Sequence, residues 1–403
     1  MDVDVVVVGA GIAGCTSAIL YGRAGLRVAL LEKHRNPATH KVLCGHFIQG
    51  GTEQMLRRTG FWDAMVDAGG AVQRMSVWGD GNWSTPPDEA PVPSAISLRR
   101  ERLDPLLRSM AAGTPGVTML LGEAVTGLVE RDGRVVGVRT AEREVRARLV
   151  VGADGYRSGI AALAGARPRH SPNERFGYWA YYRGVKPRGP VRPGHAQIWR
   201  LEPDVGILVR TDDELTLLAA FPAKTQLPEF RPDPGAALER FLSKLPDAPD
   251  LSAAQRESKV VGTTDYPCVR HDPTPRSGLV LVGDAATTSD PTPAPGCGWA
   301  FRSADWLVEA SAADLAAGND LRPAMRRYRR SLRFIEDHDR MMRSEALAQP
   351  PSRLARMVTR AASVDPVIGV RLYRFANRDI ATSELLNPAT LVRAFRLTRR
   401  MSG

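Results

Sequence analysis

Long apolar runs are missing from this 403-residue chain, and cysteine is scarce. No stretch approaches the about 18 to 20 consecutive apolar residues that a bilayer-spanning helix needs, so no such helix is expected. The four cysteines, Cys15, Cys44, Cys268 and Cys297, form no CxxC pair, which argues against a disulfide framework or a zinc site and for a reducing compartment. The opening Met1-Asp2-Val3-Asp4 is acidic and runs straight into a strand-like segment. It lacks the basic start of a secretory signal, and a cytoplasmic location is expected. Lysine is rare: 6 of the 55 basic residues, a bias that needs no functional cause. The charge is also uneven. Residues 1–320 are neutral, whereas residues 321–403 hold 18 arginines against 7 acidic residues and carry the whole net charge of +11.

What is present begins with a phosphate-binding pattern. Four valines, Val5 to Val8, read as a buried strand. Gly9-Ala10-Gly11-Ile12-Ala13-Gly14 follows, then a helical run to Gly25, then a second strand ending at Glu32-Lys33. Glycine at 9 permits the tight turn, glycine at 11 the close approach of a pyrophosphate, and glycine at 14 close helix–strand packing. The free N–H groups and positive dipole end of the helix suit the phosphates. Glu32, 18 residues past Gly14, is placed to accept hydrogen bonds from ribose hydroxyls. This fingerprint alone leaves NAD and FAD open.

Two distant segments bear on that choice. Leu149-Val150-Val151-Gly152-Ala153-Asp154-Gly155 and Leu279-Val280-Leu281-Val282-Gly283-Asp284-Ala285 are each an apolar strand running into glycine and aspartate, and open α/β sheets bind ligands at such strand ends. With these three elements in this order, residues 1–315 resemble the flavoprotein monooxygenases typified by p-hydroxybenzoate hydroxylase, a group that includes flavin halogenases and geranylgeranyl reductases. The resemblance implies an α/β fold: a Rossmann-like FAD-binding domain of the p-hydroxybenzoate hydroxylase type, an antiparallel β-sheet substrate domain, and here a C-terminal helical region. It implies FAD as cofactor, with Asp284, beside Gly283, on the ribityl chain and Asp154-Gly155 near the pyrophosphate. Arg100 matches a cofactor-contacting arginine before a helix, with Arg99 and Arg102 competing for the role. Val125 matches a strand near the adenine. Pro295, Gly296 and Gly298 match a helix start facing the flavin. Lys41 and Cys44 resemble the K-x-C-G segment of the geranylgeranyl reductases, with one residue inserted. Lys41 and His46 carry proton-transfer chemistry, but no catalytic base is assigned and no metal is expected.

Residues 1–70, 96–170 and 265–315 are expected to form the FAD-binding domain. Residues 71–95 and 171–264, rich in short strand-like runs, are expected to form the substrate sheet. Trp179, Tyr181, Tyr182 and Trp299 are candidates to line its pocket, although strand alternation turns about half of such aromatics away. Residues 316–403 are read as a basic helical region. It either caps the FAD domain or docks to an acidic carrier protein or an anionic membrane surface. No nucleic-acid-binding module is recognised.

Three reactions fit. In the first, NAD(P)H reduces FAD, oxygen adds at the flavin C4a, and the hydroperoxide hydroxylates or epoxidises a small organic substrate, as in secondary metabolism and antibiotic biosynthesis. The segment Asp290-Pro291, Gly296-x-Gly298, Arg302 and Asp305 resembles this group best. The second is an alkene reductase, suggested by Lys41 and Cys44-Gly45. The third, a halogenase, lacks the family's W-x-W-x-I-P element. A flavin-binding partner protein without turnover is the alternative from another class.

Overall fold

The computed structural model describes residues 1–87, 89–349 and 351–401, with side chains through Arg399. The arginine at 400, counted above with the basic tail, has its side chain outside the described residues. A five-stranded parallel sheet lies at the centre, in the order Leu279–Leu281, Leu149–Gly152, Val5–Val8, Val28–Glu32, Val117–Leu121. Its strands are apolar on both faces because both are covered, as all-parallel sheets require. Val5 and Val7 pack in one core with the helix Ile12–Arg23, while Val6 and Val8 pack in the other with Val150 and Leu281. Val8 is in register with Gly152, and Gly152 with Leu281. The chain turns after Val8, Gly152 and Leu281 therefore emerge side by side at one sheet edge. Three stretches far apart in sequence become one site there.

The second sheet has eight strands, built on Gly177–Arg183, Thr216–Phe221, Val205–Arg210, Ala196–Arg200, Met75–Gly79 and Asn82–Ser84. The expectation of an antiparallel sheet needs one amendment, because Ala196–Arg200 runs parallel to Met75–Gly79. Residues 71–95, expected in this sheet, also divide. Ala71–Gln73 pairs with Ala95–Ser97, which pairs with Phe47–Ile48, in a separate three-stranded sheet. One face of the eight-stranded sheet packs against Phe230, Leu238 and Leu242 of the helical segment after it. The other, bearing Trp179, Ile207, Val209, Leu217 and Phe221, faces inward.

The C-terminal region is not one unit. The helix Arg322–Glu345 belongs to the nucleotide-binding core: Tyr328, Leu332 and Ile335 are buried in it, and the Tyr328 hydroxyl donates to Leu281 O at 2.9 Å. Beyond it, Arg353–Val364, Pro366–Ala376, Thr382–Leu385 and Pro388–Met401 close around their own small core of Val358, Ile368, Phe375 and Leu385. This tail is tied to the rest by hydrogen bonds, each with a backbone atom on at least one side. Gly51 donates to Asn377 O at 2.9 Å, Met75 N donates to the Tyr373 hydroxyl at 3.0 Å, and Arg302 Nη1 donates to Arg378 O at 2.6 Å. Among the described residues no helix is long and apolar enough to cross a membrane.

Candidate active site

A cavity of about 1950 Å³ runs from the Gly9–Ile12 turn, past Asp154 and Asp284, to the inward face of the second sheet and the tail helices. The turn is built as its glycines require. Gly9 has φ +102°, and a Cβ there would meet Ala153 O at 2.6 Å; a Cβ on Gly14 would meet Gly9 O at 1.7 Å. Gly11 differs, since nothing lies within 4 Å of its would-be Cβ. That open space lies at the start of the helix Ile12–Arg23, whose N-cap supplies no side-chain hydrogen bond, so N–H groups of the first turn are left for a ligand. The helix Gly296–Ala316 likewise begins without a side-chain cap, behind Pro295, and Gly296 lines the same cavity.

Glu32 is buried. Its Oε2 accepts from Ala10 N at 2.8 Å and its Oε1 from His34 N at 3.0 Å. Each oxygen keeps a further lone pair, and Glu32 and Lys33 both line the cavity. Lys41 Nζ donates to Asp284 Oδ2 at 2.8 Å. The Asp284 carboxylate holds the Lys41 ammonium well above its usual range, against the opposing effect of burial. Arg100, the first residue of the helix Arg100–Ala112, is buried and pairs with Asp104 through Nε at 2.7 Å and Nη2 at 3.0 Å. Its Nη1 faces Cys44 Sγ at 3.8 Å, and Asp104 Oδ2 also accepts from Lys41 N at 3.0 Å. The rivals of Arg100 serve elsewhere. Arg99 and Arg102 clamp Asp212 and Asp213, with Arg99 Nη2 at 2.7 Å from Asp212 and Arg102 Nη2 at 2.8 Å from Asp213.

Gly9, Gly11, Ile12, Ala13, Glu32, Lys33, Lys41, Cys44, Arg100, Asp154, Gly155, Asp284, Pro295, Gly296, Trp179 and Trp299 all line the cavity. Other expected residues stand behind it or apart from it. Gly14, Gly283 and Gly298 give close packing, since a Cβ on Gly283 would meet Ala13 Cβ at 2.9 Å and one on Gly298 Thr52 Oγ1 at 2.7 Å. Val125 sits in no strand; it lies in the connection between Val117–Leu121 and Gly127–Arg131, against the second core. Tyr182 is corrected, because alternation turns it away from Trp179 into the core under Phe230 and Leu238. Tyr181 shares the Trp179 face but is engaged by its hydroxyl with His46 Nε2. Asp154 also anchors the backbone, since its oxygens accept from Ser158 Oγ at 2.6 Å and Ile160 N at 3.0 Å, which fixes the start of the next helix. Arg302 and Asp305 lie away from the cavity, Asp305 held by Arg58 at 2.7 Å.

Sequence reading missed two residues. Asp104 bridges Arg100 and the Lys41 backbone. Arg108 donates from Nε to Ala10 O at 3.0 Å and from Nη1 to Pro37 O at 2.7 Å and to Thr39 O, tying the glycine turn to the following loop. Their signal was helical periodicity: 100, 104 and 108 fall on one face of a helix.

The residues present fit FAD. Gly11 leaves open space on the cavity wall where a phosphate can approach the backbone, two uncapped helix starts open onto one cavity, and the indole N–H of Trp299 in its wall is buried without a protein partner.

Known proteins agree. The chain is 32% identical over 164 residues to the probable electron transfer flavoprotein-quinone oxidoreductase YgcN of Escherichia coli K12, covering 41% of this chain and 38% of that one. It is 34% identical over 173 residues to the 6-methylpretetramide 4-monooxygenase of Streptomyces rimosus, covering 40% of each. These matches span about two fifths of the curated relatives' length. The fold is shared with the flavin-dependent brominase Bmp2, with a TM-score of 0.76 at 19% identity over 100% of both chains. It is also shared with PqsL, a probable FAD-dependent monooxygenase from Pseudomonas aeruginosa, with a TM-score of 0.70 at 19% identity over 86% of this chain and 99% of that one. The family FAD_binding_3, described as an FAD binding domain, matches residues 2–322, and the chain belongs to that family of flavoproteins.

Proposed function

We propose that this protein is an FAD-dependent monooxygenase that uses NAD(P)H and oxygen to hydroxylate or epoxidise a largely apolar small organic molecule. The observation that carries this reading is the cavity, which continues from the nucleotide turn to an apolar sheet face. Bound FAD would supply hydride acceptance from NAD(P)H and the activation of oxygen. The chain's own residues do the rest. First-turn N–H groups beside Gly11 receive the pyrophosphate, and Glu32 receives ribose hydroxyls. The start of the helix Gly296–Ala316 would favour negative charge on a flavin bound beside it. Lys41 is held as a cation by Asp284. The face formed by Trp179, Ile207, Leu217 and Phe221 positions an apolar substrate and excludes water. The relative named for 6-methylpretetramide 4-monooxygenation supports this reading.

The alkene reductase reading rests on Lys41 and Cys44 lying in the cavity wall. An oxygen-electrode assay with NAD(P)H and a panel of aromatic and polyketide substrates separates the two. Substrate-stimulated oxygen uptake with one labelled oxygen atom in the product supports the monooxygenase. Anaerobic saturation of an alkene with no oxygen incorporated overturns it.

The tail supplies the route for such a substrate. Leu354, Val392 and Phe395 are exposed around a groove of about 800 Å³, with Arg353, Arg356 and Arg396 exposed beside them. Leu354 and Met357 line both this groove and the large cavity. An apolar face flanked by arginines suits an anionic lipid surface, and substrate would enter from it.

A further inference from the structure

Cys44 and Cys297 lie 253 residues apart in the chain, yet their sulfur atoms are 3.5 Å apart. Both line the large cavity and both are free thiols. The two remaining cysteines differ. Cys15 is fully buried against Ala10 O at 3.5 Å, and Cys268 is buried beside Asn173. The environments within the pair are unequal. Cys44 Sγ accepts from His46 N at 3.4 Å and faces the Arg100 guanidinium at 3.8 Å, whereas the hydrogen bond recorded for Cys297 Sγ is to Cys44. That hydrogen bond, with His46 and Arg100, draws Cys44 well below the usual thiol range; the same hydrogen bond, with burial, pushes Cys297 up. Their backbone settings are unequal too. Cys44 follows Val42 and Leu43, which are exposed on an irregular loop. Cys297 is fixed on the helix Gly296–Ala316.

We propose that Cys44 and Cys297 form a redox-active dithiol oxidised by a small peroxide entering through the cavity, with Cys44 attacking and Cys297 resolving. The Cys44 thiolate attacks one peroxide oxygen; the O–O bond breaks, hydroxide leaves and is protonated to water, and Cys44 becomes a sulfenic acid. The Cys297 sulfur then attacks the Cys44 sulfur. The S–O bond breaks, the departing hydroxide takes the Cys297 proton and leaves as water, and the S–S bond forms. Two thiols and one hydrogen peroxide give one disulfide and two waters; a dithiol reductant reverses the change. A peroxide suits the pair because it is small and neutral and reaches sulfurs that a bulky disulfide does not. The bond would tether the Lys41-bearing loop to the helix start that faces the cofactor. None of this depends on which reaction the cavity carries out.

The test uses full-length protein with its flavin bound, reduced and then treated with hydrogen peroxide, denatured, alkylated and mapped by mass spectrometry. The expected result is a Cys44–Cys297 cross-linked peptide, formed at least about tenfold faster than any oxidation of Cys15 or Cys268. In Cys297→Ser, Cys44 should accumulate as a sulfenic acid trapped by dimedone; in Cys44→Ser, Cys297 should stay reduced. Four alkylatable thiols in treated wild type would overturn the proposal. Equal oxidation of the two single variants would overturn the assigned order of attack. The wild-type mapping decides the first point even if a variant fails to fold.

Discussion

The nucleotide-binding half and the C-terminal tail both face the same cavity, but they are held in opposite ways. Around Gly9 and Gly14 the backbone packs so closely that a single added carbon collides with it. In the tail, Leu354, Val392 and Phe395 line the surface groove and remain partly exposed. The difference teaches where specificity resides. A cofactor of fixed shape is met by rigid backbone, while the route proposed for substrate is lined by side chains on small, separately packed helices.

The largest effect should come from breaking the rigid half. Gly14→Ala should unfold the turn, destabilising the protein by about 3 kcal/mol or more, because its Cβ meets backbone that has nowhere to move. Gly11→Ala should leave the melting temperature of the apoprotein nearly unchanged yet weaken FAD binding more than about tenfold, a loss of at least about 1.4 kcal/mol. Thermal melts and flavin titrations of both variants check the contrast, and equal behaviour would refute the assignment of Gly11 to the pyrophosphate.

Next is Asp104→Asn, which leaves the Arg100 guanidinium buried without its counter-charge. The cost should be about 3 kcal/mol in urea unfolding, with flavin affinity also lowered because a single amide oxygen replaces the two that accept from Arg100 and from the Lys41 backbone. A variant as stable as wild type would show that Arg100 has another anchor.

A third effect, of similar size but confined to acid, tests the seam between the halves. His338, on the helix Arg322–Glu345, is buried between Phe334 and Phe375, with ring centroids at 4.4 and 4.9 Å. Burial lowers its pKa to about 4. A depressed histidine pKa means the unfolded chain binds the proton first. Stability from this group is therefore complete above about pH 6.5 and is lost as pH falls toward 4, by about 3 kcal/mol in all. Urea unfolding at pH 5 and 7 should show a smaller difference for His338→Phe than for wild type.

The smallest effect belongs to the tail surface. Replacing Arg353, Arg356 and Arg396 by Gln should weaken flotation with phosphatidylglycerol vesicles by about 1 kcal/mol per residue at low salt and leave the melting temperature unchanged. Equal binding to phosphatidylcholine vesicles, or binding only to an acidic protein, would refute the lipid assignment.

Legibility followed the same division. Val5–Val8, the glycine turn and the two Gly–Asp strand ends could be read because each is a short contiguous pattern whose backbone geometry tolerates few residues. Asp104 and Arg108 went unread because they act through partners 63 and 98 residues away in sequence, Lys41 and Ala10. Tyr182 could be placed on a strand, but which strand face met the cavity depended on the helix Pro234–Ser243 packing on the other side. The parallel pairing of Ala196–Arg200 with Met75–Gly79 likewise had no local signal, since register between distant strands is set by what they bury together.

By itself the sequence determined the phosphate-binding turn, the strands that lead into the site and the basic charge of the tail, because local steric rules and composition suffice for those, while FAD rather than NAD followed from the resemblance that the three segments carry together. The tertiary structure alone decided that the long helix Arg322–Glu345 joins the nucleotide core and the remaining helices do not. It alone brought Lys41 to Asp284 and Cys44 to Cys297. Those pairings arise only when separate stretches converge at one sheet edge, where burial fixes neighbours that sequence distance conceals.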